Sequence, residues 1–276
     1  MSGLSLRRPA SLDDFEGRPL AGGTDLVTLI RDGLVEAGTV SDVRALLPRG
    51  LDGTRIGAGT TLAELERSDE VPEALREASR LAASPQLRNM GTIGGNLLQA
   101  TRCWYWRLDY PCFLHGGDRC HAREGEHREH AIFGNELCAS AHPSDPAAAL
   151  LALGATIETD RRSFPLAELY RLPTEKDRNV TALESNELIL HVEYERPEAS
   201  TYLKAMDRAR FSFPLVGVAA ARYGSEVRLA LSGVAPIPWA LGSGTELDGA
   251  TPLPGTAYKV ELARVLVRRA LEQITA

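Results

Sequence analysis

The chain of 276 residues holds four cysteines, Cys103, Cys112, Cys120 and Cys138, with eight, seven and seventeen residues between successive members. Confined to one short segment, they are read as acting together. Three chemistries suit them: a pair of disulfides, a structural zinc, or an iron–sulfur cluster held by four thiolates. Close C-x₂₋₄-C pairs, the usual mark of zinc, are absent, and a domain this large does not need disulfide staples. Spacing alone leaves the choice open. Just upstream, the stretch 84–100, SPQLRNMGTIGGNLLQA, places Gly91, Gly94 and Gly95 beside Thr92 and Asn96. Glycines there let the backbone take positive φ and come close to a ligand such as a phosphate. An earlier stretch, 18–33, RPLAGGTDLVTLIRDG, reads as a strand, a glycine turn at Gly22 and Gly23, and a helix start with Thr24 and Asp25 as a capping pair. The N–H groups and dipole of a helix start favour an anion such as a pyrophosphate. Neither stretch is a G-x-G-x-x-G or G-x-x-x-x-G-K-[ST] fingerprint. A lone Gly-rich stretch is most simply a turn, so the working reading is two glycine loops sharing one ligand.

Several elements must position these loops. Strands GTVSDV and RIGAG are expected between them, followed by amphipathic helices around Leu62 to Glu66 and Pro72 to Ala83, the second with Leu75, Ala78, Leu81 and Ala82 on one face. After the cysteines, Asp145 reads as an N-cap and Pro146 as the first residue of the apolar helix AAALLAL. From Glu187 to Glu195, Leu188, Leu190, Val192 and Tyr194 alternate with polar residues as a half-buried strand would. Three or so antiparallel strands follow, from TYLKAM to VRLALSGVAP. The loop-like run GSGTELDGATPLPGT then leads to a closing helix, Tyr258 to Ile274, with Leu262, Leu266, Ala270 and Ile274 on one stripe.

With 43% hydrophobic and 25% charged residues, the chain is ordinary globular material, long enough for two domains. Its net charge of -6 and lack of clustered Lys and Arg argue against a nucleic-acid partner. The longest apolar run, Ala147 to Leu153, is far shorter than the ~20 residues a membrane span needs. Residues 1–8 lack the apolar centre of a signal peptide, so a cytoplasmic location with reduced cysteines is expected.

AGGTDL at 21–26, IGAGTTLAEL at 56–65, SPQLRNMGTIGGNLLQATRCWYWR at 84–107, HPSDPAAALLALGA at 142–155 and SGVAPIPWA at 232–240 occur in one order along nearly the whole chain. Together they resemble the FAD-binding subunit of the molybdenum hydroxylases, the family of xanthine dehydrogenase, carbon monoxide dehydrogenase and aldehyde oxidoreductases. TRCWYWR, PCFLHGG, RCHA and a last Cys before HPSD resemble the members that carry an extra four-iron, four-sulfur (4Fe-4S) cluster, such as aldehyde oxidoreductases and 4-hydroxybenzoyl-CoA reductase. Relative to the family, the helix before the first glycine turn and a helical hairpin after Trp239 look trimmed.

The resemblance implies an α+β fold: a two-lobed FAD-binding domain over 1–175 (lobes 1–50 and 51–175, with a Cys-rich loop 100–141 near its surface) and a small C-terminal antiparallel sheet-plus-helix domain over 185–276. It implies FAD on Leu20, Ala21, Gly22, Gly23, Thr24, Asp25, Leu26, Thr92, Gly94, Gly95, Asn96, Asp145, Leu188 and Lys204, with Asp145 on the flavin's sugar-alcohol chain and Lys204 supplying positive charge. It implies a 4Fe-4S cluster on Cys103, Cys112, Cys120 and Cys138. Trp104, Tyr105 and Trp106 are read as packing, and His115, His121, His127 and His130 as bystanders or donors to the ligands. No residue makes or breaks a substrate bond. The implied role is electron transfer from a molybdenum-cofactor large subunit and a two-iron ferredoxin-like small subunit, through FAD, to an external acceptor. A second reading, suggested by the trimmed helices, is a stand-alone, repurposed member acting in a biosynthetic pathway, as a flavin oxidase or as an FAD-free small-molecule-binding scaffold.

Overall fold

The computed structural model describes residues 4–36, 38–209, 211–242 and 247–275. Part of the run GSGTELDGATPLPGT, residues 243–246, and residues 1–3 of the N-terminal segment lie outside them. Strands β1 (Ser5–Arg7) and β2 (Arg18–Leu20) are joined by turns over residues 8–17, with no helix there, and α1 (Leu26–Arg31) leads to β3 (Thr39–Asp42). These strands form a parallel sheet in the order β1-β3-β2. Next come β4 (Leu51–Asp52), β5 (Arg55–Gly57), α2 (Leu62–Arg67), α3 (Glu73–Leu81), α4 (Pro85–Arg88), α5 (Ile93–Leu97) and α6 (Trp104–Arg107). Thr61 and Glu64 start α2 as a capping box, each side chain taking the other's backbone N–H. After the cysteine segment follow α7 (Asp145–Ala152), β6 (Thr156–Thr159), β7 (Ser163–Pro165), α8 (Leu166–Leu169) and β8 (Ile189–Glu193). Strands β9 (Ala199–Ala205), β10 (Val216–Tyr223), β11 (Glu226–Ser232) and β12 (Trp239–Leu241) and helix α9 (Tyr258–Thr275) complete the chain.

The second sheet has the order β4-β5-β8-β6-β7, and β8 lies antiparallel between β5 and β6. A boundary at 185 would therefore cut this sheet: β8 belongs with the second lobe. Its alternation is also less regular than the sequence suggests. A bulge at Glu158/Thr159 shifts the register, so Ile189 and Val192 enter the main core, whereas Leu188 packs with Phe15 and Val43 and Leu190 is half-buried. Four strands, in the order β12-β11-β10-β9, build the C-terminal sheet. Ala219, Ala221 and Ala230 face the main core with α3 and α7, while Val218, Ala220 and Leu231 face α9. A sheet covered on both faces reads as a continuous apolar run, as VGVAAA does. Helix α7, apolar all round, is buried accordingly. On α9 the buried stripe runs through Lys259, Ala263, Leu266, Val267, Ala270 and Ile274; Leu262 is only partly buried.

The cysteine segment is not confined to the surface of the first two sheets and their helices. Its later half enters the C-terminal core: Ile132 and Phe133 both donate to Val234 O, at 2.7 and 3.0 Å, and Phe133 stacks on Trp239 with centroids 5.1 Å apart.

Candidate functional site

The two glycine loops touch. A Cβ on Gly22 would lie 1.8 Å from the carbonyl oxygen of Met90, so only glycine lets the first loop lie against the second. Gly23 needs its freedom for another reason, a φ of +71°. In the second loop Gly91, Gly94 and Gly95 do not have positive φ, contrary to expectation. Gly94 sits at the start of α5, where a Cβ would meet the Ala58 Cβ at 3.0 Å, so close packing is what requires it. Thr92 caps α5 by accepting from Gly95 N–H at 3.2 Å, and Gly94 N–H donates to Ala58 O at 3.0 Å. The N–H groups of Gly22, Gly23 and Thr24 donate to no described residue. Residues 22–24 are half-buried and line the cleft, so these donors are free to meet a ligand's acceptor.

Asp25 stands at the N-cap position of α1 but makes no capping bond. Its carboxylate accepts from Ala100 N–H at 2.8 Å and from Arg107 at 3.0 Å, and it pairs with Arg102. Burial alone would raise its pKa; the Arg102 charge, the Ala100 N–H and Arg107 outweigh that and leave it lowered. Asp25 thus ties the first glycine loop to the cysteine segment.

Asp145 is likewise not the cap. Ser144 caps α7, accepting from Ala147 N–H at 3.0 Å and donating to Asn96 Oδ1 at 2.6 Å, which orients Asn96 on α5. Asp145, at the first helical position, is fully buried and paired with Lys204 on β9, Nζ to Oδ2 at 2.8 Å. Tyr202 donates to the same carboxylate, and Lys204 also donates to Leu81 O at 2.9 Å. Burial raises the Asp145 pKa against the pull of Lys204. Gly217 makes room for this network, because a Cβ there would lie 2.1 Å from the Tyr202 hydroxyl and 2.2 Å from that of Ser232.

Leu20, Ala21, Gly22, Gly23, Thr24, Asp25, Leu26, Thr92, Gly94, Gly95, Asn96, Asp145, Leu188 and Lys204 all line one cleft of about 1030 Å³. Cys103 lines it too, and also borders a second cavity of about 10 Å³ together with Cys112, Cys120 and Cys138. No cysteine is in a disulfide. Among the described residues no group of three or more His, Cys, Asp or Glu side chains closes on a point as ligands of a single metal ion do. Cys120 and Cys138 are in contact: the Cys138 thiol, with the N–H groups of Ala139, Ala122 and Arg123, holds Cys120 below the ordinary thiol value against burial, and Cys138 is raised. Burial raises Cys103 to about 11, and its sulfur lies 3.2 Å from His130 Nε2. His121 borders the cysteine cavity; His115 and His127 bind backbone carbonyls, at 3.2 and 2.9 Å. Trp104 packs edge-on against His130, with centroids 4.9 Å apart.

Two cations of the cleft, Arg102 and Arg107, and one behind its wall, Lys259, escape sequence reasoning. Arg102 and Arg107 flank the Cys-Trp-Tyr-Trp run, where the cysteine motif masks them, although two charges in so aromatic a stretch signal a polar partner. Lys259 is wholly buried, donates to Glu129 O at 2.7 Å and Gly233 O at 2.9 Å, and is pushed down to about 7 by burial. Its signal was its place on the apolar stripe of α9, four residues before Ala263.

A family model described as FAD binding domain in molybdopterin dehydrogenase matches residues 10–194. The chain is similar to the aldehyde oxidoreductase FAD-binding subunit PaoB of Escherichia coli, 39% identical over 242 residues that make up 80% of this chain and 75% of that protein. It is also similar to the carbon monoxide dehydrogenase medium chain of Afipia carboxidovorans, 40% identical over 90 residues, 29% of this chain and 31% of that one. In fold it is similar to carbon monoxide dehydrogenase from Oligotropha carboxidovorans, with a TM-score of 0.68 at 22% identity, covering 99% of this chain and 98% of that one. Quinoline 2-oxidoreductase from Pseudomonas putida 86 gives a TM-score of 0.67 at 21% identity, covering 99% and 97%. Matched by the family model over most of its length and by PaoB over four-fifths of it, the chain belongs to the FAD-binding subunits of the molybdenum hydroxylase family of oxidoreductases.

Proposed function

We propose that the cleft holds FAD stretched between the two glycine loops and that this chain passes electrons from a molybdenum-cofactor large subunit and a two-iron ferredoxin-like small subunit to an external acceptor in the cytoplasm. The observation that carries this is the convergence of both glycine loops, Asn96, Asp145 and Lys204 on one cleft, beside N–H groups of Gly22, Gly23 and Thr24 that have no acceptor among the described residues. A cleft of about 1030 Å³ matches the upper end of the ~300–1,000 Å³ typical of ligand pockets. The first loop's N–H groups suit pyrophosphate oxygens. Asn96, fixed by Ser144, and the Asp145 carboxylate suit the hydroxyls of the sugar-alcohol chain. Because Asp145 neutralises Lys204, the lysine contributes an N–H donor and little net charge. Bound FAD supplies the redox chemistry, accepting and releasing electrons singly or in pairs. The protein's residues hold and orient it and exclude water.

The same reading gives the four thiols a 4Fe-4S cluster. Each thiolate of such a cluster binds a different iron, so Cys103, Cys112, Cys120 and Cys138 need to surround a cavity rather than meet at a point. About 10 Å³ is room for one water, so loading requires Cys120 and Cys138 to turn outward from their mutual contact. Cys103 is on the wall of both cavities, so a cluster held by the four thiolates would lie beside the cleft.

An ultraviolet–visible spectrum of anaerobically purified protein, with iron and acid-labile sulfide measured on the same sample, tests both assignments. Flavin bands with about four irons per chain are expected, the iron lost in Cys103→Ser and Cys138→Ser while the flavin stays. Folded protein that takes up no FAD refutes the cleft assignment. Folded protein that stays iron-free after anaerobic reconstitution refutes the cluster.

A further inference from the structure

Arg102 is a cation with a donor left over. It precedes Cys103 and reaches across the cleft to the start of α1, where Nη1 pairs with Asp25 and Nη2 donates to Gln99 Oε1 at 3.1 Å. Its guanidinium carbon lies 5.3 Å from the centre of the Phe213 ring. Nε is buried and has no hydrogen-bond partner among the described residues. Arg107 differs: it also lines the cleft, but its Nε donates to Thr101 O at 2.9 Å and its Nη2 to Asp25 at 3.0 Å. One carboxylate, Asp25, is shared by two guanidinium groups, with no second carboxylate in contact with either among the described residues, next to first-loop N–H groups that donate to no described residue. A buried donor on a cation without an acceptor is costly, and a ligand oxygen removes that cost.

We propose that Arg102 is a further cofactor-binding residue, its Nε–H and charge taking an oxygen of the FAD pyrophosphate. This rests on the reading that the cleft holds FAD. It adds that the cysteine-bearing segment itself closes on the phosphates, so cofactor and segment stabilise each other: a ligand that binds only the folded arrangement shifts the equilibrium towards it.

The test is titration of the full chain, freed of flavin, with FAD, ADP and riboflavin, in wild type, Arg102→Met, Arg102→Lys and Arg107→Met, with the melting temperature of each protein recorded. ADP carries the pyrophosphate without the flavin ring, and riboflavin the ring without phosphate. A hydrogen bond to a charged group corresponds to about 10- to 100-fold in affinity. Arg102→Met is expected to weaken FAD and ADP by that factor and riboflavin by less than about twofold. Arg102→Lys, which keeps the charge but loses the planar fork, falls between. Arg107→Met, which removes a guanidinium whose Nε is already bonded to Thr101 O, lowers the melting temperature and is expected to weaken ADP clearly less than Arg102→Met does. Equal losses in Arg102→Met and Arg107→Met reduce Arg102 to a brace for Asp25 and overturn the proposal. Unchanged ADP affinity in Arg102→Met, or a loss as large for riboflavin as for FAD, overturns it as well. Wild-type protein that binds neither FAD nor ADP refutes the cofactor reading itself, a result distinct from all of these.

Discussion

Gly22→Ala tests whether the two glycine loops work as one clamp. The added Cβ would stand 1.8 Å from Met90 O and 2.6 Å from Met90 C, whereas real Cβ atoms keep at least 3.0 Å, so the loops must part by the difference, 1.2 Å. Both sides of the contact are backbone, and no side chain can swing away to absorb it. A shift of that size moves the N–H groups of Gly22, Gly23 and Thr24 out of line with a ligand seated on the second loop. Misplacement by 1 Å is enough to cost on the order of 100-fold, about 2.7 kcal/mol. FAD affinity of Gly22→Ala, followed by flavin fluorescence on titrating flavin-free protein, is expected to fall by about that factor. Gly23→Ala is the internal comparison. Its Cβ would meet only the side-chain tips of Val27, at 3.1 Å, and Leu20, at 3.3 Å, so its cost is the left-handed φ, about 1–2 kcal/mol. That cost resides in the fold and is expected as a fall of a few degrees in melting temperature, with a smaller loss of affinity. Wild-type FAD affinity in Gly22→Ala, or a greater affinity loss in Gly23→Ala, would show that the loops do not clamp one ligand.

Asp145→Asn leaves the Lys204 ammonium buried without its counter-charge and is expected to destabilise the apoprotein by about 3–5 kcal/mol in urea unfolding. Lys204→Met costs less, because Asp145, its pKa already raised by burial, can take a proton and keep its bonds to Tyr202 and Ser232. The double variant should lose less than the sum of the two, and strict additivity would refute the pairing. Stability should also fall with acid. Burial holds His142 down at about 3, against an ordinary 6.5, so the unfolded chain takes up its proton first and stability drops as pH falls from 6.5 towards 3. Hydrogen bonds from Arg162 hold Glu187 at about 2, against 4.5, adding a second loss as pH falls from 4.5 towards 2. Each group steepens the slope by up to about 1.4 kcal/mol per pH unit, and Glu187→Gln removes the lower limb. Equal urea midpoints at pH 7 and pH 5 would contradict the His142 assignment.

Features built from neighbours in sequence were legible before folding. The glycine turn and the start of α1, the helices after Thr61 and Pro72, the apolar α7 and the closing α9 all follow from local propensity and periodicity. So did the grouping of four thiols, since their crowding is a property of the chain. The tertiary structure decided what those groups face. Asp25 and Asp145 each stand at a helix start, where a carboxylate ordinarily caps, but Arg102, Arg107 and Lys204 bring full charges from distant segments and outcompete a backbone N–H. Gly94 is needed for its nearness to Ala58 and Gly22 for its nearness to Met90, approaches that φ preference cannot foretell. β8 joined the second lobe because β5 and β6 lie open on either side of it. Periodicity along the chain shows which face of an element is apolar; only the folded chain brings a partner to that face, and at this site the partners are charges and backbone more than 20 residues away.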